Sequence, residues 1–357
     1  MTTTNTTINI KHLVLSGGGL LGISYIGLFK YFEEKNYIKT LESITGSSAG
    51  ALFGSLCALG YTSNEIKLII KQIVFKDYLK INVDSILNFT TKKGLESGNT
   101  LSLLIKKCIY DKTNNENLTF IQHYEKYNIK LQIGVTNLSQ HKFELLNKDT
   151  YPDLPIHTAI SASIAIPFIF EPVIINNDVY CDGGILNNLP IDNIIEMDLI
   201  NNITTATTTS TTTATTTSTT TSTIPSTTSQ NIKDNPIIIP SPNTKPELIN
   251  ENLNQEEKTK DSLSVLGFYL INKGDSVSKD NYKSITIAQY ISLFTRTLSK
   301  CIVNTKIEKT NINKDKYKII NIEIPCDIMT FIKLDATHDD IDNIISIAYN
   351  VTLHELE

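Results

Sequence analysis

Within the first sixty residues, a short β-type run twice breaks at glycines and passes into an apolar stretch of helical length. Lys11-His12-Leu13-Val14-Leu15 leads into Ser16-Gly17-Gly18-Gly19-Leu20-Leu21-Gly22. From Ile23 to Glu34 the chain then carries Tyr25, Ile26, Leu28, Phe29 and Phe32 at helical spacing. Leu41 to Thr45 reads as a second strand, which breaks at Gly46-Ser47-Ser48-Ala49-Gly50 before the small, apolar run Ala51 to Leu59. A helix-length crossover between two strands implies parallel pairing, since a tight turn can only return a strand antiparallel. The chain is therefore expected to be α/β, with a mainly parallel central sheet covered by helices. Its 357 residues, 40% of them hydrophobic, suffice for a large core.

Further along, Thr62 and Glu65 form a capping box for a helix running to about Phe75. Ser97 to Tyr110 and Thr119 to Tyr127 read as further helices, Leu131 to Thr136 as a strand, and Phe143 to Leu146 as its neighbour. Pro155 to Ala165 is a small-residue helix stopped by Pro167. Glu171 to Cys181 reads as a hairpin turning at Asn176-Asn177, and it delivers Asp182-Gly183-Gly184. From about Ile203 the chain becomes almost pure Thr with some Ser and Ala, then polar and proline-rich up to about Lys260. Such a composition buries too little apolar area to offset its ordering entropy, so 203–261 is expected to be a disordered insertion. Residues 1–10 are expected to be a tail and 11–202 a catalytic core. Residues 262–357 would complete the same domain, with a separate small helical domain as the alternative. In this last part Ile285 to Val303 reads as a helix, Tyr317 to Ile324 as a strand and Asp339 to Leu353 as a helix.

Charge narrows the partners. With 19% charged residues and a net charge of −5, the chain lacks the clustered basic face of a nucleic-acid binder. Five scattered cysteines without C-x-x-C spacing argue for free thiols in a reducing compartment and against zinc. Met1 to Asn9 holds no apolar h-region, so no signal peptide is expected, and no run approaches the roughly 18 apolar residues of a spanning helix. An intracellular location follows, cytoplasmic or peripherally membrane-associated.

Gly17 to Gly22 formally matches G-x-G-x-x-G, a dinucleotide fingerprint. That use needs an acidic residue ending the second strand, and here the strand runs through Ile44-Thr45 straight into Gly46. A phosphate loop would need Gly-Lys-Ser/Thr, which is absent. Consecutive glycines before a helix have another use: their amides can face a carbonyl oxygen as it becomes negative, an oxyanion hole. Gly46-Ser47-Ser48-Ala49-Gly50 reads G-x-S-x-G, a serine on a sharp strand-to-helix turn that only small neighbours permit. The helix behind it favours negative charge at the hydroxyl. A serine nucleophile needs a base. Asp182, after the apolar Val179-Tyr180-Cys181 and before two glycines, could accept the proton directly. A histidine triad would have to draw on His338 or His354, the two histidines downstream of Asp182.

Together, the glycine turn, the Ser48 motif and Asp182-Gly183-Gly184 resemble the patatin-like phospholipase family. Ser161-Ala162-Ser163-Ile164-Ala165-Ile166-Pro167 with Phe170-Glu171-Pro172 resembles that family's approach to its aspartate, so the likeness covers roughly Lys11 to Pro190. The resemblance implies a three-layer α/β/α fold and lipid acyl hydrolysis by a Ser–Asp dyad without cofactor or metal. On that pattern Ser48 would be the nucleophile and Asp182 the base. Gly17, Gly18 and Gly19 would form the oxyanion hole with a contribution from the Leu20 amide, supported by Gly22, Gly46, Gly50, Gly183 and Gly184. The substrate would be a lipid or phospholipid ester at a membrane surface. The family usually carries Arg or Lys just before the last glycine of its first motif, where this chain has Leu21, so a head-group preference does not carry over. Two other readings stay open: a lipid-binding or membrane-scaffold protein with little turnover, and a water-soluble esterase.

Overall fold

The structure is a computed structural model of the chain and describes residues 9–73, 83–198, 200, 263–272, 297, 317–325 and 337–357. Its centre is an eight-stranded sheet. β1 (His12–Leu15) lies parallel to β2 (Ser43–Ser47) on one side and to β9 (Val265–Asn272) on the other. β10 (Tyr317–Ile324) continues in parallel beside β9, and β4 (Lys130–Asn137) beside β2. The far end is antiparallel: β5 (Lys142–Leu146) and β8 (Asp178–Asp182) both pair with β4, and β7 (Val173–Ile175) pairs with β8. β3 (Gly94–Glu96) and β6 (Phe168–Phe170) make a separate parallel pair.

Residues alternate across this sheet because successive strand side chains point to opposite faces. Leu13, Leu15, Leu266, Phe268, Ile320 and Ile322 enter one core cluster. It is closed by α1 (Tyr25–Glu34), α2 (Ala49–Ala58) and the last helix, α8 (His338–Leu356). Val14, Val265 and Tyr269 face the other way, onto Leu189 and onto Ile191 and Ile194 of helical residues 191–198. Helix, sheet and helix form three layers. The remaining helices are α3 (Ser63–Gln72), α4 (Val83–Lys92), α5 (Asn99–Thr113), α6 (Phe120–Tyr127) and α7 (Ile156–Ser163). The Thr62–Glu65 capping box is formed, and Thr119–Gln122 and Thr337–Asp340 make two more.

Met1–Met197 together with Ser262–Glu357 form one compact unit, and Asp198–Asp261 form a second, of which only 198 and 200 are described. The expected disordered insertion at 203–261 and the expected helix at 285–303 lie outside the described residues, Thr297 apart. Elsewhere the elements shift by a turn or less. The first helix is preceded by a 3-10 turn over Gly19–Ser24, and β2 runs on to Ser47, directly up to the serine. α4, β3, β6 and β9 are not anticipated by the sequence reading.

One feature of the topology positions the site. A strand residue has two hydrogen-bonding edges. β5 pairs with Ile133–Asn137 of β4, so it fills one edge there. β2 pairs with 130–134 and β8 with 135–137, so both must share the opposite edge. They approach it from opposite directions: Ser47 lies across from Gly134, and Asp182 across from Val135. The C-terminal ends of β2 and β8 therefore meet head to head at one point on β4.

Candidate active site

Ser48 is the first residue past the end of β2, with φ +51 and ψ −122, a region a side-chain-bearing residue enters only when its surroundings compel it. The surroundings are small by necessity. A Cβ on Gly46 would fall 2.3 Å from the Gly50 backbone, and one on Gly50 would fall 2.3 Å from the Leu15 carbonyl. The turn is also tied down: the Ser48 N–H donates to Ser163 Oγ at 2.9 Å, and the Ser163 hydroxyl donates to the Gly134 carbonyl at 2.6 Å. Ala51 and Leu52 donate back to the Ser48 carbonyl, starting α2 at the serine itself.

The Ser48 hydroxyl donates to Asp182 Oδ2 at 2.6 Å. Asp182 ends β8, where its N–H donates to the Ala165 carbonyl and its own carbonyl accepts from Thr136 Oγ1 at 2.9 Å. Its second oxygen, Oδ1, accepts the Gly184 N–H at 2.7 Å. Gly183 must lack a side chain, because a Cβ there would lie 2.2 Å from the Gly134 carbonyl oxygen. Asp182 is buried, and burial pushes its carboxyl up from 3.8 to about 6, against the pull of the Ser48 and Gly184 hydrogen bonds. At neutral pH it remains mostly ionised, and as a carboxylate it is a much stronger proton acceptor than one free in water.

The first glycine turn abuts the serine. A Cβ on Gly17 would lie 2.9 Å from Ser48 Cβ and 2.4 Å from Asn188 Oδ1. The Gly17 N–H donates to the Asn188 carbonyl at 3.0 Å, and Asn188 Nδ2 returns a hydrogen bond to the Gly17 carbonyl at 3.3 Å. Among the described residues, the amides of Gly18, Gly19 and Leu20 donate to no protein group. Gly19 is exposed at φ +56, and Gly22 packs its turn against Ala49 and Phe53 of α2. The Leu21 side chain is buried in the core. β9 backs this turn: Ser16 N–H donates to the Phe268 carbonyl, Leu270 N–H donates to Ser16 Oγ at 3.0 Å, and Leu270 stands where a Gly18 Cβ would be.

The geometry thus brings Ser48, Asp182, Gly17 and Gly184 together. None of the six histidines hydrogen-bonds to Ser48 or Asp182. His338 Nε2 pairs with the Lys71 carbonyl at 3.0 Å and is exposed, and the buried His123 pairs with Ala58. Among the described residues, no group of three His, Cys, Asp or Glu side chains could hold a metal ion. Four contributors escape the sequence reading: Ser163, Gly134, Thr136 and Asn188. Gly134 sits in a run that reads as strand, and Ser163 lies in the Ser161–Pro167 segment that carries part of the resemblance, yet nothing local marks either as a support of Ser48. Asn188 follows the Asp182-Gly183-Gly184 turn by only four residues, and that closeness was the available signal.

A model of the family described as patatin-like phospholipase matches residues 13–195, half of the chain. The chain belongs to the patatin-like phospholipase family. Several curated relatives carry the same likeness. This patatin-like chain is 35% identical over 184 residues to uncharacterized protein R571 of Acanthamoeba polyphaga mimivirus, covering 51% of this chain and 60% of that one. It is 32% identical over 184 residues to the probable lipid hydrolase 463L of Invertebrate iridescent virus 6, covering 51% and 62%. Against triacylglycerol lipase 5 of Saccharomyces cerevisiae the identity is 27% over 225 residues, covering 54% and 29%. The aligned part therefore spans about three fifths of the first two relatives. Among solved structures, VipD from Legionella pneumophila shares the fold at TM-score 0.50 and 18% identity, covering 98% of this chain and 67% of that one. Members of this patatin-like family are lipid hydrolases, and no described helix here is long and apolar enough to cross a membrane.

Proposed function

We propose that the chain is a lipid acyl hydrolase cleaving carboxylic esters through a Ser48–Asp182 dyad. The observation that carries this reading is the 2.6 Å hydrogen bond from the Ser48 hydroxyl to a buried carboxylate, made by a serine held at φ +51. As Ser48 Oγ attacks the ester carbonyl, its proton passes to Asp182 Oδ2. The carbonyl oxygen becomes an oxyanion beside the amides of Gly18, Gly19 and Leu20, each of which has a hydrogen to give. Gly17 contributes space, since its own amide is already engaged. Collapse expels the alcohol, which takes the proton from Asp182. Water, deprotonated by the same carboxylate, then releases the acyl group as a fatty acid and restores Ser48.

Gly184 holds Oδ1 of the base, which leaves Oδ2 aimed at the serine. That is the orienting task a third residue performs in a triad. Leu21 is buried where the family usually carries Arg or Lys, so that position offers no cation at the glycine turn, and the reading rests on the acyl ester rather than on a head group. A fluorophosphonate probe together with lipid-product analysis tests the reading. Wild type is expected to be labelled and to release fatty acid, and Ser48→Ala to do neither. Fatty-acid release that survives Ser48→Ala would end it.

A further inference from the structure

The triple-glycine turn needs an orientation that its own residues do not fully supply. An oxyanion hole works when its N–H groups already point at the place where charge develops. Gly17, Gly18 and Gly19 carry no side chains, so rotation of the peptides between them meets little steric resistance. The Gly19 amide is settled locally: the Gly18 carbonyl of the same peptide accepts the Leu21 N–H at 3.1 Å and closes the start of the 3-10 turn. The Gly18 amide shares its peptide with the Gly17 carbonyl. In a planar trans peptide the two point in opposite directions, so whatever holds that carbonyl aims that N–H.

Two donors hold it. The Ser16 hydroxyl, whose oxygen accepts the Leu270 N–H of β9, donates to the Gly17 carbonyl at 3.0 Å. Asn188 Nδ2 donates to it at 3.3 Å, and the Asn188 carbonyl accepts the Gly17 N–H at 3.0 Å, so one residue grips both ends of Gly17. Asn188 is itself firmly placed, between the buried Asn187 and Leu189. The Asn187 carbonyl accepts the Ser47 hydroxyl at 2.8 Å, and the Asn187 N–H donates to the Gly183 carbonyl at 3.0 Å. Asn188 Oδ1 lies where a Cβ on Gly17 would come within 2.4 Å and one on Gly184 within 2.7 Å. The carboxamide thus fills the gap between the glycine turn and Gly184, whose N–H holds Oδ1 of Asp182.

We propose that Asn188 is a positioning residue: gripping Gly17 from the loop that follows the base, it keeps the Gly18 N–H turned toward the carbonyl oxygen that Ser48 attacks. The role rests on the hydrolase reading. Ester kinetics of wild type, Ser48→Ala, Asn188→Ala and Asn188→Asp test it. Two inhibitors accompany them: a trifluoromethyl ketone that forms a tetrahedral adduct on Ser48, and the matching methyl ketone, which only occupies the site. Outright loss of one oxyanion donor costs about 10²–10³ in rate, and with Ser16 still in place Asn188→Ala is expected to lower kcat roughly 10- to 100-fold at unchanged KM. Affinity for the trifluoromethyl ketone should fall by the same factor while the methyl ketone is held as before. The acid limb of kcat/KM should stay near pH 6.

A residue that merely supported the fold would lower the urea midpoint without separating the two ketones, and one that acted through Asp182 would move the acid limb. Either result overturns the proposal. Asn188→Asp covers the case in which Asn188→Ala does not fold. It keeps the side-chain shape but offers an acceptor where Asn offers a donor, which favours the rotated peptide. Its loss of kcat is expected to be at least as large as that of Asn188→Ala and to persist at pH 9, well above the Asp182 value of about 6. Wild-type kcat for Asn188→Asp at that pH would overturn the proposal. Unchanged kcat in Asn188→Ala beside an inactive Ser48→Ala removes the positioning role alone, whereas activity that survives Ser48→Ala removes the dyad and this role with it.

Discussion

Replacing Asp182 by Asn separates what the carboxylate does for catalysis from what its burial costs the fold. The buried carboxyl keeps its proton to about pH 6, whereas the unfolded chain releases it near 3.8. A folded-state value raised in this way favours the folded state fully below pH 3.8, and that contribution is lost as pH rises through about 6. The displacement corresponds to about 3 kcal/mol. Asn does not titrate, and it can satisfy the same neighbours: Oδ1 accepts from Gly184 while its amide donates to Ser48 Oγ, reversing the sense of that bond. The stability of the variant relative to wild type should therefore climb by about 2 kcal/mol between pH 4 and pH 7, the rest of the displacement lying below pH 4, and then level off. Urea midpoints across this range measure it, and any pH-independent packing offset cancels from the slope. The same variant should lose about 10²–10⁴ in turnover, because its side chain can no longer take the serine proton. Wild-type kcat/KM should be half-maximal near pH 6 and fall tenfold per pH unit below it. Parallel stability curves for the two proteins, or an acid limb centred near pH 4, would refute the assignment of a buried, ionised base.

Other perturbations probe the supports of the dyad. Ser163→Ala leaves the Ser48 N–H and the Gly134 carbonyl without partners in a dry site, so it should cost roughly 2–4 kcal/mol in denaturation. It should also lower kcat with little change in KM, and a variant with unaltered kcat would show that the Ser48 turn holds itself. Gly17→Ala puts a methyl 2.9 Å from Ser48 Cβ and should cost at least about 10² in kcat, whereas Gly19→Ala meets nothing within 4 Å and should cost only roughly 1 kcal/mol of backbone strain at its positive φ. Comparable activity losses in the two variants would remove the steric argument. His338→Ala and His354→Ala should leave ester hydrolysis at wild-type rates, and an essential histidine in such assays would replace the dyad with a triad.

Much of this site was legible in the sequence, for a physical reason. Gly17 to Gly22, Gly46 to Gly50 and Asp182 to Gly184 are each short turns where crowding excludes side chains, so their demands are written locally. The parallel character of the sheet followed in the same way, from a helix-length crossover between β1 and β2. What stayed hidden was set by pairing across long separations. β9 stands beside β1 and lends Leu270 to the wall of the glycine turn, yet Val265 to Asn272 has no motif and reads as an ordinary apolar run. α4 was missed because Val83, Ile86 and Leu87 stay exposed and Phe89 alone of its apolar residues is half-buried, so the usual inference from periodicity to core serves it poorly.

The meeting of Ser48 with Asp182 shows how far local signals reach. The two residues are 134 positions apart, and neither motif specifies the other. What joins them is the edge of β4, which β2 leaves at Gly134 and β8 takes up at Val135. Gly134 fits because it is crowded from three directions: Ser47 Oγ would stand 2.5 Å from a Cβ placed there, its carbonyl accepts from Ser163, and the same carbonyl forbids a side chain on Gly183. A larger residue at 134 would push the two strand ends apart along the line of the Ser48–Asp182 hydrogen bond. The distance between donor and acceptor is therefore set less by these two side chains than by a glycine that takes no part in the bond, in a strand whose sequence announces only that it is buried.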